Sequence, residues 1–189
     1  MGTKFSTRIW VSVVGIASIF FGSKGYADTV ISVADFGLKP DTRENAVAYV
    51  QKAIEACRGK EPVTLVFPEG RYDFWPQYAH EKNYYETNTY DVFPKRLAML
   101  FEGFHNITVD GNGSQFVMHD RIQPITVENC DGVTLKNFSI DWDIPLTAQA
   151  RVIKVGSDFF EIEINVLESP YIIEDGKLVF VGEGWKSAL

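Results

Sequence analysis

The chain has 189 residues, 46 % of them hydrophobic and 14 % aromatic, which suits one domain with a sizeable core. It carries 25 acidic against 18 basic residues, a formal net charge of −7. That balance argues against nucleic acid or an anionic membrane as a partner. It also argues against a polyanionic substrate, unless a local basic patch or calcium intervenes.

The first residues read as a secretory signal. Lys4 and Arg8 form a charged start, Trp10 to Phe21 is an apolar run without charge, and Gly25-Tyr26-Ala27 is a small-x-small cleavage site. The run falls short of the about 20 residues that span a bilayer. The expected mature chain starts at Asp28 and is exported, to the periplasm or beyond. Removing residues 1–27 removes Lys4, Arg8 and Lys24 and no acid, so the charge becomes 15 minus 25, or −10. Export permits a disulfide, but Cys57 and Cys130 lie in different predicted elements. Two small buried thiols are the simpler expectation.

Thr29 to Val33 is a strand candidate, and Ala34-Asp35-Phe36-Gly37 turns out of it. Asp41 reads as an N-cap with Glu44 as its capping-box partner. The helix expected from there runs over 42–58, with Ala46, Val50, Ala53, Ile54 and Cys57 on one face and Gly59 as its stop. Val63 to Phe67 is a buried-type strand turned by Pro68-Glu69-Gly70. Tyr72 and Phe74 alternate with polar residues. Over 74–93, Phe74, Trp75, Tyr78, Tyr84, Tyr85, Tyr90 and Phe93 crowd together without a period. This reads as a long loop, whose aromatics either stack on sugar rings or pin the loop to the scaffold. Leu97 to Phe101 resumes strand.

Residues 105–143 then say nearly the same thing twice. Ile107-Thr108-Val109 aligns with Val133-Thr134-Leu135 at an offset of 26 residues, 133 minus 107. A short period of strands and tight turns is the mark of a stacked solenoid. The expected inward positions are Ile107, Val109, Phe116 or Val117, Ile125, Val127, Val133, Leu135, Phe138 and Ile140. Asn112 and Asn137 fall at turns, where Asn tolerates left-handed backbone. After Pro145 the pattern changes to two hairpins, one around Gly156-Ser157-Asp158 and one around Glu174-Asp175-Gly176-Lys177.

The fold expected is all-β. A right-handed parallel β-helix with an N-terminal capping helix occupies residues 28–147, and an inserted small antiparallel β-barrel, incomplete, occupies 148–189. No polar capping repeat closes the far end, so the chain reads as part of a longer protein.

Val33-Ala34-Asp35-Phe36-Gly37, Asp41 and Phe67-Pro68-Glu69-Gly70-x-Tyr72 resemble the start of the pectate-lyase-like β-helix superfamily. More specific are Val109-Asp110-Gly111-Asn112-Gly113-Ser114-Gln115-Phe116, Arg121-Ile122-Gln123-Pro124, Val133 through Asp143, and Leu178 through Trp185. Together these resemble the N-terminal part of glycoside hydrolase family 110, bacterial α-1,3-galactosidases, over residues 31–189. The resemblance implies exo-acting, inverting hydrolysis of terminal α-1,3-linked galactose, as on blood-group B glycans, without a cofactor. It also implies a chain several times longer, with catalytic acids beyond Leu189. Two other readings stay open: a non-catalytic glycan-binding β-helix module, and a pectin-directed enzyme, for which Arg121 is the only candidate base.

Inverting glycosidases need an acid and a base carboxyl about 6.5–9.5 Å apart. Asp141 and Asp143, two apart on a strand, would be separated by roughly 6.6 Å. Any Asp-x-Asp strand has that spacing, and a solvated strand end before Pro145 explains the pair equally well. Trp142 is a candidate to stack on galactose or to close the rung as core. His119 and Arg121, with Asp120, form a polar cluster at a rung corner. His119 is a candidate to bond a sugar hydroxyl and Arg121 to orient a carboxylate, and a plain surface corner is the alternative. Asp110 with Asn112 has calcium-like spacing but lacks the following acidic ligand. No metal site is expected.

Overall fold

The computed structural model describes residues 29–84 and 94–188. The signal segment 1–27, the aromatics Tyr85, Tyr90 and Phe93, and Leu189 lie outside the described residues.

The fold is mostly β with one α-helix. Strand β1 (Thr29–Ser32) leads through a 3₁₀ turn (Val33–Phe36) to helix α1 (Val47–Cys57). Then come β2 (Val63–Val66), β3 (Arg71–Phe74), β4 (His80–Lys82), β5 (Lys95–Glu102), β6 (His105–Met118), β7 (Gln123–Glu128) and β8 (Asp131–Trp142). Strands β1, β2, β6 and β8 pair in parallel in that order, and β3 pairs in parallel with the far half of β6. A second sheet pairs β5 with β7 in parallel and β4 with β5 antiparallel.

The register carries the sequence repeat. Ile107 faces Val133, Thr108 faces Thr134 and Val109 faces Leu135. The second sheet repeats with the same offset, since Leu97 faces Gln123, which is 123 minus 97, or 26. The corners between the sheets repeat as well. Gly103 and Asn106 hold φ of 70° and 57°, and 26 residues later Asn129 and Gly132 hold 51° and 67°. Glycine and asparagine exchange places at these corners because both tolerate left-handed backbone. Inside the β6–β8 ladder, Asp110 faces Lys136 and Ser114 faces Phe138, so Gly111, Asn112 and Gly113 bulge opposite Asn137 alone. Asn112 and Asn137 are left-handed, φ 49° and 60°, as their placement at turns implies.

The core lies between the sheets and under α1. Ala46, Val50, Ala53, Ile54 and Cys57 are all buried, as their spacing predicts. Phe67, Tyr72, Phe74 and Phe116 form an aromatic cluster, and Phe138 stacks on Phe116 at 4.8 Å. Burial fades toward β8. Ile107 and Val109 are fully buried, whereas Leu135 and Ile140 on the next strand of the sheet are 40 % and 38 % exposed. Among the described residues β8 has a strand partner on one side only, so its inward row is half covered.

Three expectations change. The helix starts at Val47, not after Asp41. Asp41 sits at φ 61° and its Oδ1 accepts the backbone N–H of Arg71 at 2.9 Å, so it serves the turn before β3 instead of capping. The capping box belongs to Ser32 and Asp35 on the 3₁₀ turn. The residue between Tyr72 and Phe74, Asp73, is buried with them.

After residue 148 the pairing is antiparallel. β9 (Arg151–Val155) pairs with β10 (Phe160–Glu163), and β11 (Tyr171–Glu174), β12 (Lys177–Val181) and β13 (Lys186–Ala188) form a second sheet. Among the described residues the two sheets do not join into a closed barrel. Cys57 and Cys130 are free thiols, and burial pushes the Cys57 thiol up to about 11. No described helix is long and apolar enough to cross a membrane.

Candidate functional site

Three strands end side by side. Phe74 of β3, Met118 of β6 and Trp142 of β8 are in register. The ladder runs one residue further, because His119 N–H donates to Phe74 O at 2.9 Å and Asp143 N–H to Met118 O at 3.0 Å. Trp75, His119 and Asp143 therefore follow each other across the strand ends. Trp75 lies flat on the His119 ring, centroids 3.8 Å apart and planes 10° from parallel.

A chain of charges builds outward from there. The Asp73 side chain is fully buried, and a buried carboxylate needs partners. Arg71, two residues back and so on the same strand face, gives it Nη2 at 2.6 Å and Nε at 3.0 Å. His119 Nε2 lies 2.9 Å from Asp73 Oδ1. On the other side of the ring, His119 Nδ1 lies 2.7 Å from Glu183 Oε1. Glu183 Oε2 also accepts the Asp120 N–H at 3.2 Å. Arg71 reaches Asp143 at 2.8 Å, and Arg43 stands 3.9 Å from the same carboxylate.

Burial alone would raise the Asp73 carboxyl, but the hydrogen bonds from Arg71 and His119 outweigh it and hold it below its ordinary value. The same hydrogen bond with Asp73 leads in raising Arg71 above the ordinary guanidinium range. The network fastens the loop after β12 to the strand ends. His119, Asp143 and Glu183 bring donor atoms within 4.8 Å of one another, a set with the right chemistry for a divalent cation. Each of those donors already sits in a charge pair.

The sequence-derived candidates separate. His119 is buried, 3 % exposed, because Trp75 and Glu183 cover it, and both ring nitrogens are engaged. Asp143 lies just past β8 and is paired with Arg71, whereas exposed Asp141 accepts the N–H of Trp142 at 2.8 Å. Trp142 packs against the core and donates Nε1–H to Asp120 O at 3.2 Å. Arg121 and Trp142 line one cleft of about 440 Å³, which His119 does not enter. Asp110, considered for calcium, instead accepts from Asn112 N–H and Asn137 Nδ2 and pairs with Lys136.

Sequence reading missed Arg71, Asp73 and Glu183, and named Trp75 only among the aromatics of the 74–93 loop. The Arg71-x-Asp73 spacing on one strand was a usable signal. Nothing local announced Glu183, which meets His119 across 64 residues of chain.

Comparison with known proteins follows the same division at residue 148. The GLAA-B beta-barrel domain I family matches residues 148–189. Alpha-1,3-galactosidase B of Bacteroides thetaiotaomicron is 61 % identical over 163 residues, 86 % of this chain and 26 % of that protein. Alpha-1,3-galactosidase A of Shewanella woodyi is 37 % identical over 158 residues, 83 % of this chain and 26 % of that protein. Alpha-1,3-galactosidase B of Phocaeicola vulgatus is 35 % identical over 184 residues, 95 % of this chain and 29 % of that protein. The chain thus spans about a quarter of the length of the curated relatives it matches. With nearly the whole of its described fold aligned to these enzymes, the chain belongs to glycoside hydrolase family 110, whose N-terminal part it matches.

Proposed function

We propose that the natural protein carrying this chain is an exported α-1,3-galactosidase, which removes terminal α-1,3-linked galactose from glycans of the blood-group B type. The observation that carries the reading is the 61 % identity to an alpha-1,3-galactosidase B over 86 % of the chain. In this reading the parallel sheets are the first coils of a right-handed β-helix. The offset of 26 residues shared by the β5–β7 ladder and the first half of the β6–β8 ladder supports it. The hairpins after residue 148 are the beginning of an inserted barrel, supported by the family match there.

The chemistry proposed is direct displacement. Water attacks the anomeric carbon, a carboxylate base takes its proton, and a carboxylic acid protonates the departing glycosidic oxygen as the carbon–oxygen bond breaks. We place that acid and base in coils outside the part matched here. The described carboxylates nearest the strand ends, Asp73, Asp143 and Glu183, are held in ion pairs.

The test is incubation of the natural protein with galactosyl-α-1,3-galactose, followed by proton NMR. Release of galactose with the β-anomer first supports hydrolysis with inversion. No galactose release overturns the activity, and α-anomer first overturns the inverting mechanism.

A further inference from the structure

The cleft of about 440 Å³ lies between the strand ends and the antiparallel region, within the size range of small-ligand sites. Its wall combines Trp142, Trp185 and Gln123 with Lys95, Arg96 and Arg121 at the rim. Among the described residues three cations and no acid line it, although acids outnumber bases 25 to 18 in the whole chain. The local sign of charge is the reverse of the global one.

The rim cations are not equivalent. Lys95 is engaged elsewhere, and Arg96 stands 3.4 Å from Glu81. Arg121 is exposed and has no acidic partner among the described residues. Glu183 is held by His119 and the Asp120 N–H, and the Asp120 carboxylate lies against Gly184. A guanidinium offers a planar fork that matches a carboxylate or sulfate.

The wall suits a sugar ring. Indoles present a flat apolar face with a polar edge, and two of them bound this cleft. Two lining residues also carry buried polar atoms without a partner among the described residues: Gln123 Oε1, an acceptor, and Trp185 Nε1, a donor.

We propose that this cleft binds a saccharide unit bearing an anionic substituent, with its ring against the tryptophan wall and its carboxylate or sulfate on Arg121. The choice of a saccharide rests on the glycosidase reading, and the choice of an anion rests on the cleft alone. A glycan with a neutral terminal galactose and an acidic neighbouring sugar would then be recognised at two places.

Isothermal titration of the natural protein with galactose 6-sulfate, galacturonic acid and galactose tests this at low salt. Either anionic sugar should bind at least tenfold more tightly than galactose. Arg121→Gln should erase that difference, and Arg121→Lys should restore part of it. Trp142→Leu should weaken anionic and neutral sugars alike, with circular dichroism checking that each variant is folded. Equal affinity for charged and neutral sugars, an unchanged preference in Arg121→Gln, or no saturable binding of either anionic sugar overturns the proposal. Galactose release from a neutral α-1,3-disaccharide by the unaltered protein reports on the hydrolase reading alone, so the two failures are distinguishable.

Discussion

Asp73 ties Arg71 on its own strand and His119 at the end of the next to one buried point. Removing one partner from a buried charge set destabilises by roughly 3–5 kcal/mol, because the remaining groups stay buried and unpaired. Arg71 is 21 % exposed, which places Asp73→Asn near the lower end, about 3 kcal/mol. A urea titration should show the midpoint fall accordingly. The pH dependence follows from the direction of the shift. The Asp73 carboxyl is held below its ordinary value in the fold. Its contribution is therefore complete above the unfolded value of about 3.9 and is lost as pH falls through the lower folded value. The wild-type protein should lose this increment on acidification below about pH 4, and the Asn variant should lack that part of the slope. The same residues explain why the site was hard to read in advance. His119 has the sequence surroundings of a surface corner, and its burial depends on Asp73 and Glu183, 46 and 64 residues away. That Arg121 and Trp142 fall close together was legible, because the strand end that places them is a local feature.

The β6–β8 ladder shows what the repeat encodes and where it breaks. A β-carbon on Gly111 would stand 2.5 Å from Phe138 Cβ and 2.7 Å from Asn137 O. Neither neighbour can yield, since Phe138 is stacked on Phe116 and the oxygen is backbone. Gly111→Ala should cost about 1–3 kcal/mol by overpacking. Asn112→Gly, one position on, should stay within about 0.5 kcal/mol, because its exposed residue already holds φ 49°. Comparing the two by thermal melting separates crowding from turn geometry. The strands, the inward row of β6 and the 26-residue step were legible because side-chain alternation and turn residues are local signals, whereas Val127, Leu135 and Ile140, also expected inward, are exposed. The helix start was not, because Asp41 satisfies a distant strand's N–H in place of its own helix. Asp73 broke the alternation for a related reason, since one of its two partners, His119, arrives from the end of another strand.

At the scale of the molecule, the parallel and antiparallel parts are joined through Glu183, which holds His119 with one oxygen and the Asp120 amide with the other. A hydrogen bond to a charged group contributes roughly 1.5–3 kcal/mol. Glu183→Ala should therefore raise amide exchange over 177–188 and at Asp120 by about tenfold. Exchange in β2 and the first half of β6 should not change, and hydrogen–deuterium exchange mass spectrometry resolves these segments. The coils themselves have a further consequence. The corner pairs Gly103 with Asn106 and Asn129 with Gly132 occupy equivalent places 26 residues apart. Cutting the chain after Glu102 and rejoining it at Asn129 would bring one legitimate corner into the place of another. A change by an odd number of residues would turn the inward row of a strand outward. An even one keeps it, as the three residues 111–113 opposite Asn137 alone already do, so parity, more than length, is what this ladder holds fixed.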